Sequence, residues 1–471
     1  MKKTAWLGLV LLVLLSACSS AGGNDSGTGT VSDTRYTEAK TGGEEDSGTA
    51  GNADPSKHVK LVIATYGLSE QVQKAVKKYE MLHPNIDIEL QASSNSGKDL
   101  NDALAKHEQF VKNNNTALLA GSGPDVIELD ELPSDQYVRR HLLADLNQLM
   151  KQDPDFHREL YFTNIMDHLQ NDGGLYGMPL YFSLVGLFGD ADAIGKAGVT
   201  FDDGNWSLSD FIDTARQLKQ KGDYKYAFAE EPTALLGELV SENYAQLVTV
   251  TKGEAHFDTD ALADMMRQVK TMFDEDLVFN FHLGGRPATN VPQSGKAYFF
   301  GTELSSLRKA VMLAPYPHTK LYAKPHSSSS GGGGDFKPHG TLGVNANSIH
   351  QLEAWDFIKF LLNDESVQSY IDALDASPGF PMNKAVYEQQ MNKILRDGVV
   401  NTGGDSSTIK VDPVLLKQVD AYLSGAVNPV GGPSKLEKII DNESKAFFAG
   451  QKSAEAAAKL IGNKINLQLN E

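Results

Sequence analysis

Strand-like and helix-like segments alternate over the stretch beginning at Val59, and this alternation restricts the fold more than any other feature. Val59-Lys60-Leu61-Val62-Ile63-Ala64 is a short apolar run. Ser69 then stands as a helix cap before Val72, Ala75, Val76 and Tyr79, which recur at helical spacing, and Pro84 stops the helix. Ile86 to Leu90 alternates apolar and acidic side chains as a second strand. A helical stretch from Lys98 to Leu119 leads through Gly121-Ser122-Gly123-Pro124 to a third strand at Asp125-Val126-Ile127. This β-α-β-α-β order predicts an α/β fold with a mainly parallel sheet and a ligand site at the carboxyl ends of its strands. The loops after Ala64 and after Ile127 are therefore the first places to look.

The chain has one cysteine, Cys18, so its body is expected to hold no disulfide, thiolate metal cluster or cysteine nucleophile. Lys2 and Lys3 precede an apolar run from Ala5 to Leu15, too short to span a bilayer, and residues 1–17 read as a secretory signal peptide. Leu15-Ser16-Ala17-Cys18 resembles the bacterial lipobox, which implies cleavage ahead of Cys18 and a lipid, palmitate included, at that residue. Residues 18–57 are rich in Ser, Gly, Thr, Asp and Glu and lack apolar periodicity, so they read as a disordered tether with a reach of roughly 35 Å. The expected location is the outer face of the cell membrane, anchored through the lipid. A formal charge of −18, made more negative by loss of Lys2 and Lys3, argues against a nucleic-acid partner.

A set of segments in fixed order carries a resemblance. Gly121 to Val126, Leu143-Ala144-Asp145-Leu146, Gly174-Leu175-Tyr176-Gly177-Met178-Pro179 and Trp206-Ser207-Leu208-Ser209-Asp210 come first. Gly295 to Phe300, Gly343 to Ser348 with the helix Gln351 to Leu362, and a final helix striped by Ala454, Ala457, Ala458, Ile461 and Ile465 follow. Together they resemble the family 1 extracellular solute-binding proteins, the maltose-binding-like receptors of ABC importers, in their Gram-positive form. The resemblance implies a two-lobed periplasmic-binding-protein-like fold with a cleft between lobes. On it, residues 58–180 and 341–378 form the first lobe, 181–321 and 379–471 the second, and 322–340 a flexible Ser/Gly-rich segment. It also implies a monomeric receptor that closes on a small solute, a sugar or oligosaccharide, and presents it to membrane permease subunits. No cofactor and no catalysis are implied.

Sugar sites need flat apolar faces beside carboxylates and amides. Tyr66 after the first strand, Glu128, Asp130 and Glu131 after the third, Tyr181 and Phe182 past the first crossing, and Phe380 in the third crossing are the candidate ligand residues. Each has a plainer reading: hinge packing for Tyr181 and Phe182, a solvated face for the acidic loop. Asp125 reads as structural, and Trp206 and Trp355 as core. The same three carboxylates also suit a cationic solute such as a polyamine. Presentation of the solute to a membrane sensor kinase is the alternative to import. His318, His326 and His339, each after a proline, lack metal-ligand spacing, and no metal site is expected.

Overall fold

The computed structural model describes residues 58–67, 69–92, 100–280, 297–314, 316–326, 333–368, 378–402, 407–431 and 434–470. The signal segment, Cys18 and the tether lie outside the described residues. Ten strands build the two main sheets: β1 (Val59–Thr65), β2 (Ile86–Ala92), β3 (Val126–Glu128), β4 (Tyr181–Asp190), β5 (Phe299–Leu304), β6 (Thr319–Tyr322), β7 (Gly334–His339), β8 (Leu342–Val344), β9 (Phe380–Pro381) and β10 (Ala426–Pro429).

The first lobe carries the sheet β8-β3-β1-β2, in which β1 runs parallel to β2 and β3 and β8 is antiparallel to β3. Helix Glu70–Leu82 forms as expected. Ser69 caps it by accepting a bond from the Val72 N–H at 3.1 Å, and Ala75, Val76 and Tyr79 are buried. Asp125 is the knot of this lobe. Its carboxylate accepts from the Val62 N–H at 2.8 Å and from the Ser348 hydroxyl at 2.5 Å, while its carbonyl accepts from the Asn345 N–H. Three segments distant in sequence thus meet on one side chain, which bears out its structural reading.

The second lobe is built on β4. Its sheet runs β6-β4-β7-β10, and β5 and β9 also pair with β4. Register shows how one strand takes four partners: β7 pairs residues 181–185 and β6 pairs 187–190 on one edge, while β9 pairs 181–182 and β5 pairs 184–189 on the other. Helices Leu208–Lys221, Pro232–Glu242, Thr259–Asp274, Ser434–Phe448 and Ala454–Asn470 surround a separate core on this lobe. Ser207 and Asp210 form the expected capping box. Trp206 is a core side chain stacked on Phe201 at 4.8 Å, and Trp355 is buried with its indole N–H donated to Asp153. The stripe Ala457, Ala458, Ile461 and Ile465 is buried throughout.

Within the segment 322–340, the described residues 322–326 and 333–340 are tied into the second lobe: Tyr322 closes β6, His326 bridges to Ser207, and β7 lies between β4 and β10. The run 327–330 with 331 and 332 lies outside the described residues. Gly334-Asp335-Phe336-Lys337-Pro338-His339 lacks strand periodicity because Asp335 and Phe336 are both fully buried, on opposite faces. Pro338 is accommodated because β10 reaches only to Phe336, which leaves that end of β7 unpaired on one side. The crossing back to the first lobe falls at Gly340, whose φ of 60° suits glycine. At the third crossing a Cβ on Gly379 would lie within 2.7 Å of the Phe182 carbonyl oxygen, so only glycine fits.

Asp125→Ala removes both acceptors and leaves the Val62 N–H without its partner. It is expected to destabilise the first lobe by about 1–3 kcal/mol in urea unfolding.

Candidate functional site

Three groups of side chains stand out: one at the carboxyl ends of β1 and β3, one around a cavity within the second lobe, and one on β4 beside the crossing. The first arises because β1 and β3 are adjacent parallel strands, which brings their carboxyl-end loops together. The Tyr66 N–H donates to Glu128 at 2.9 Å. The Tyr66 ring packs edge-on against His107 at 5.3 Å and tilted against Phe110 at 5.6 Å. His107 Nε2 lies 3.0 Å from Glu131. Burial, and then the neighbouring Asp130, push the Glu128 carboxyl from its ordinary 4.5 up to about 7, although the N–H groups of Tyr66 and Gly67 pull it back. Tyr66, Glu128 and Glu131 therefore form one cluster, with His107 as a member that its position mid-helix concealed in the sequence.

Asp130 does something else. Its carboxylate accepts from the backbone N–H groups of Gly340 and Thr341, at 2.6 and 3.0 Å, and so pins the second crossing to the first lobe. Tyr181, Phe182 and Phe380 are buried. Phe182 and Phe380 are fully buried, 5.9 Å apart, with Phe162 edge-on to Phe182. Tyr181 is buried and donates its hydroxyl to the Val367 carbonyl. Tyr181 and Phe182 on β4 and Phe380 on β9 are therefore placed as core side chains, in line with the plainer hinge-packing reading of Tyr181 and Phe182.

The second group lines a cavity of about 380 Å³ in the second lobe, between β4, β5 and the helix Pro232–Glu242. Phe211, Phe228, Phe300 and Leu235 give it apolar walls, and Glu230, Glu238, Glu242, Glu303 and Glu437 face it together with Lys324 and Lys337. Lys324 is buried and donates to Glu238 at 2.9 Å and to Glu242. Burial alone would lower its pKa, but the Glu242 and Glu238 carboxylates hold it above the ordinary lysine value, so it stays charged. The Glu230 carboxylate accepts from the adjacent Glu231 N–H at 2.9 Å. Burial, and then Glu238, push its carboxyl from 4.5 up to about 7. Pro232 at the first turn of the following helix was a readable signal for this site, since Glu230 and Glu231 precede it directly.

At the hinge, Ser183 donates to Glu303 at 2.8 Å and lies 2.9 Å from His339 Nε2, which is itself 3.2 Å from Glu303. The three residue types suggest a hydrolytic triad. The geometry does not, because serine and carboxylate share one imidazole nitrogen, whereas a triad needs the carboxylate on the other. Ser183 is also fully buried. His339 with Ser183 holds Glu303 down at about 2, so this carboxylate is an ion at any physiological pH. The three proline-linked histidines do not converge: His318 pairs with Asp192, His326 with Asp335 and His339 with Glu303.

Glu128 and Glu230 hold protons in the fold that the unfolded chain releases near 4.5, so the folded state binds more protons between that value and about 7. The contribution of these two groups is then full below about 4.5 and is lost as pH rises to about 7, whereas that of Glu303 is lost as pH falls below 4.5. The midpoint of thermal unfolding is expected to fall between about pH 5 and pH 8, and Glu128→Gln with Glu230→Gln to flatten that slope.

Comparison with known proteins agrees with this architecture. Residues 67–368 match the model of a family described as bacterial extracellular solute-binding protein. Among solved structures, an extracellular solute-binding protein family 1 from Alicyclobacillus acidocaldarius subsp. acidocaldarius DSM 446 is similar at 18% identity and a TM-score of 0.57, over 89% of this chain and 100% of that one. A periplasmic oligogalacturonide binding protein from Yersinia enterocolitica gives 17% identity and a TM-score of 0.57, over 87% and 99%. The sugar-binding protein MalE from the phytopathogen Xanthomonas citri gives 17% and 0.55, over 87% and 97%.

Proposed function

The chain belongs to the bacterial extracellular solute-binding protein family, and from that premise we propose that it captures a sugar or oligosaccharide by hinge closure and delivers it to the permease subunits of an ABC importer. The observation that carries this reading is the second-lobe cavity of about 380 Å³, which offers apolar ring walls beside carboxylates, the pairing a sugar needs for its C–H faces and hydroxyls. The Yersinia and Xanthomonas proteins, described by oligogalacturonide and sugar binding, support the class. Tyr66, Glu128 and Glu131 are the first-lobe contacts in this proposal. Contact with both lobes stabilises the closed form over the open one, and binding requires no chemistry on the solute. The receptor acts as a monomer on the extracellular face, held by lipid on Cys18 through the segment 18–57. Among the described residues no helix is long and apolar enough to cross a membrane.

The cavity also favours a second reading. Five carboxylates face it against two lysines, and Lys324 is already held by Glu238 and Glu242. An ammonium-bearing solute would replace the proton on Glu230, in place of a neutral sugar hydroxyl.

Thermal unfolding against mono- and oligosaccharides, amino sugars and polyamines tests both readings. A true ligand at a hundred times its Kd adds about 2.7 kcal/mol, a rise of several degrees. A response to neutral sugars supports the first reading and one confined to amines the second. Tyr66→Ala is expected to weaken the responding ligand about tenfold. Cys18→Ser is expected to move the protein from the membrane fraction into the medium, and retention in the membrane would exclude the lipid anchor.

A further inference from the structure

The short helix Ser134–Arg139 follows the ligand loop of the first lobe, and the helix Ala454–Asn470 belongs to the second. Each is fixed within its own lobe. Tyr137 of the short helix is buried in a first-lobe core with Leu132 and Phe110, and its hydroxyl donates to Asn115. The last turns of the long helix are tied to the hairpin strand Glu254–Phe257: Asn466 accepts from the Phe257 N–H at 2.7 Å, and Asn470 exchanges two bonds with Ala255, at 2.9 and 2.8 Å.

Three further hydrogen bonds join these rigid pieces across the lobes. Arg139 donates to the Leu469 carbonyl at 2.6 Å and Gln136 to the Gln468 carbonyl at 3.1 Å. Tyr244, beyond the helix Pro232–Glu242, donates its hydroxyl to Asp135 at 3.1 Å. The two carbonyls lie in the last turn of their helix, where the positive guanidinium meets the negative end of the helix dipole. Burial and the adjacent Asp135 hold the Tyr244 hydroxyl above its ordinary pKa, so it remains a donor. Of these residues, none lines the second-lobe cavity.

We propose that Asp135, Gln136 and Arg139 on the first lobe and Tyr244 with the Gln468 and Leu469 carbonyls on the second form a latch that sets the balance between open and closed forms without touching solute. They are positioning residues for the clamp, and the solute's identity does not enter. By linkage, losing the latch lowers the closed fraction and weakens the apparent affinity for every solute by the same factor.

The test measures the distance between spin labels at Lys151→Cys in the first lobe and Lys196→Cys in the second, in the full chain with Cys18→Ser and no solute. Arg139→Ala with Gln136→Ala is expected to shift the distance distribution towards longer separations. Arg139→Lys, which keeps one charged donor, is expected to restore part of the short-distance population, a recovery that simple loss of packing would not give. Tyr244→Phe, which removes one oxygen and no packing, is expected to shift the distribution in the same direction, and it decides the matter if the alanine variant fails to fold. A distribution identical in parent and variants would overturn the latch.

Discussion

The pairing of β4 with four other strands is the constraint on which the rest of the molecule depends. Each of its edges is shared by two strands that arrive from different parts of the chain, so the first crossing, the return through β7 and the third crossing at β9 converge on one ten-residue segment. Nearly every β4 side chain is consequently buried, and the core around Phe182, Phe336 and Phe380 is continuous with the first-lobe core around Leu61, Ile63 and Val126. A hinge of this kind transmits movement because its floor is rigid. In the proposed clamp, Gly340 and the short crossings are the points about which the lobes would turn, with β4 fixed to the second lobe.

This burial explains what the sequence concealed. Tyr181 and Phe182 beside Pro179 have the composition of a ligand wall, but a strand covered on both faces reads as an unbroken apolar run, with nothing to mark one face as wet. Phe380 carries the same ambiguity. Asp130 was hidden differently: its neighbours Glu128 and Glu131 join the cluster with Tyr66 and His107, whereas its own acceptors are satisfied by the N–H groups of Gly340 and Thr341, more than two hundred residues away. Local pattern contains no trace of such a partner. The helix Glu70–Leu82 with its Ser69 cap, the Ser207–Asp210 capping box and the stripe on the last helix were legible because cap, period and stop all lie within one element.

The charged groups of the second lobe follow from the same geometry. Lys324 stands just beyond β6 and Asp335 within β7, so closing the sheet around β4 carries both into the interior with Glu242 and His326. Lys324 meets two carboxylates, and Asp335 lies 3.2 Å from His326 with neither of its buried oxygens in a hydrogen bond among the described residues. Such pairs add little net stability against apolar substitutes, because desolvation offsets most of the attraction. They do fix where charge sits, and that matters more in a cavity than on a surface, since the lower effective dielectric strengthens each interaction with a solute.

The contrast between satisfied and unsatisfied groups gives the lobes a division of labour. At the periphery, the carbonyls of Gln468 and Leu469 and the Tyr244 hydroxyl have partners across the lobes without any solute. Nearer the centre, Glu128 and Glu230 are buried beside like charges and lean towards the protonated state. On the proposed latch, the cross-lobe bonds favour the joined form, while burial of Glu128 and Glu230 beside like charges opposes their ionised state. A solute that hydrogen-bonds or neutralises the central carboxylates removes only the penalty. Because a ligand shifts a conformational equilibrium by no more than its differential affinity, a receptor near balance responds to a modest differential, whereas one held firmly open would need far more. The peripheral hydrogen bonds thus determine how much of the solute's binding energy is consumed in closing the clamp, and the central carboxylates determine which solute can supply it.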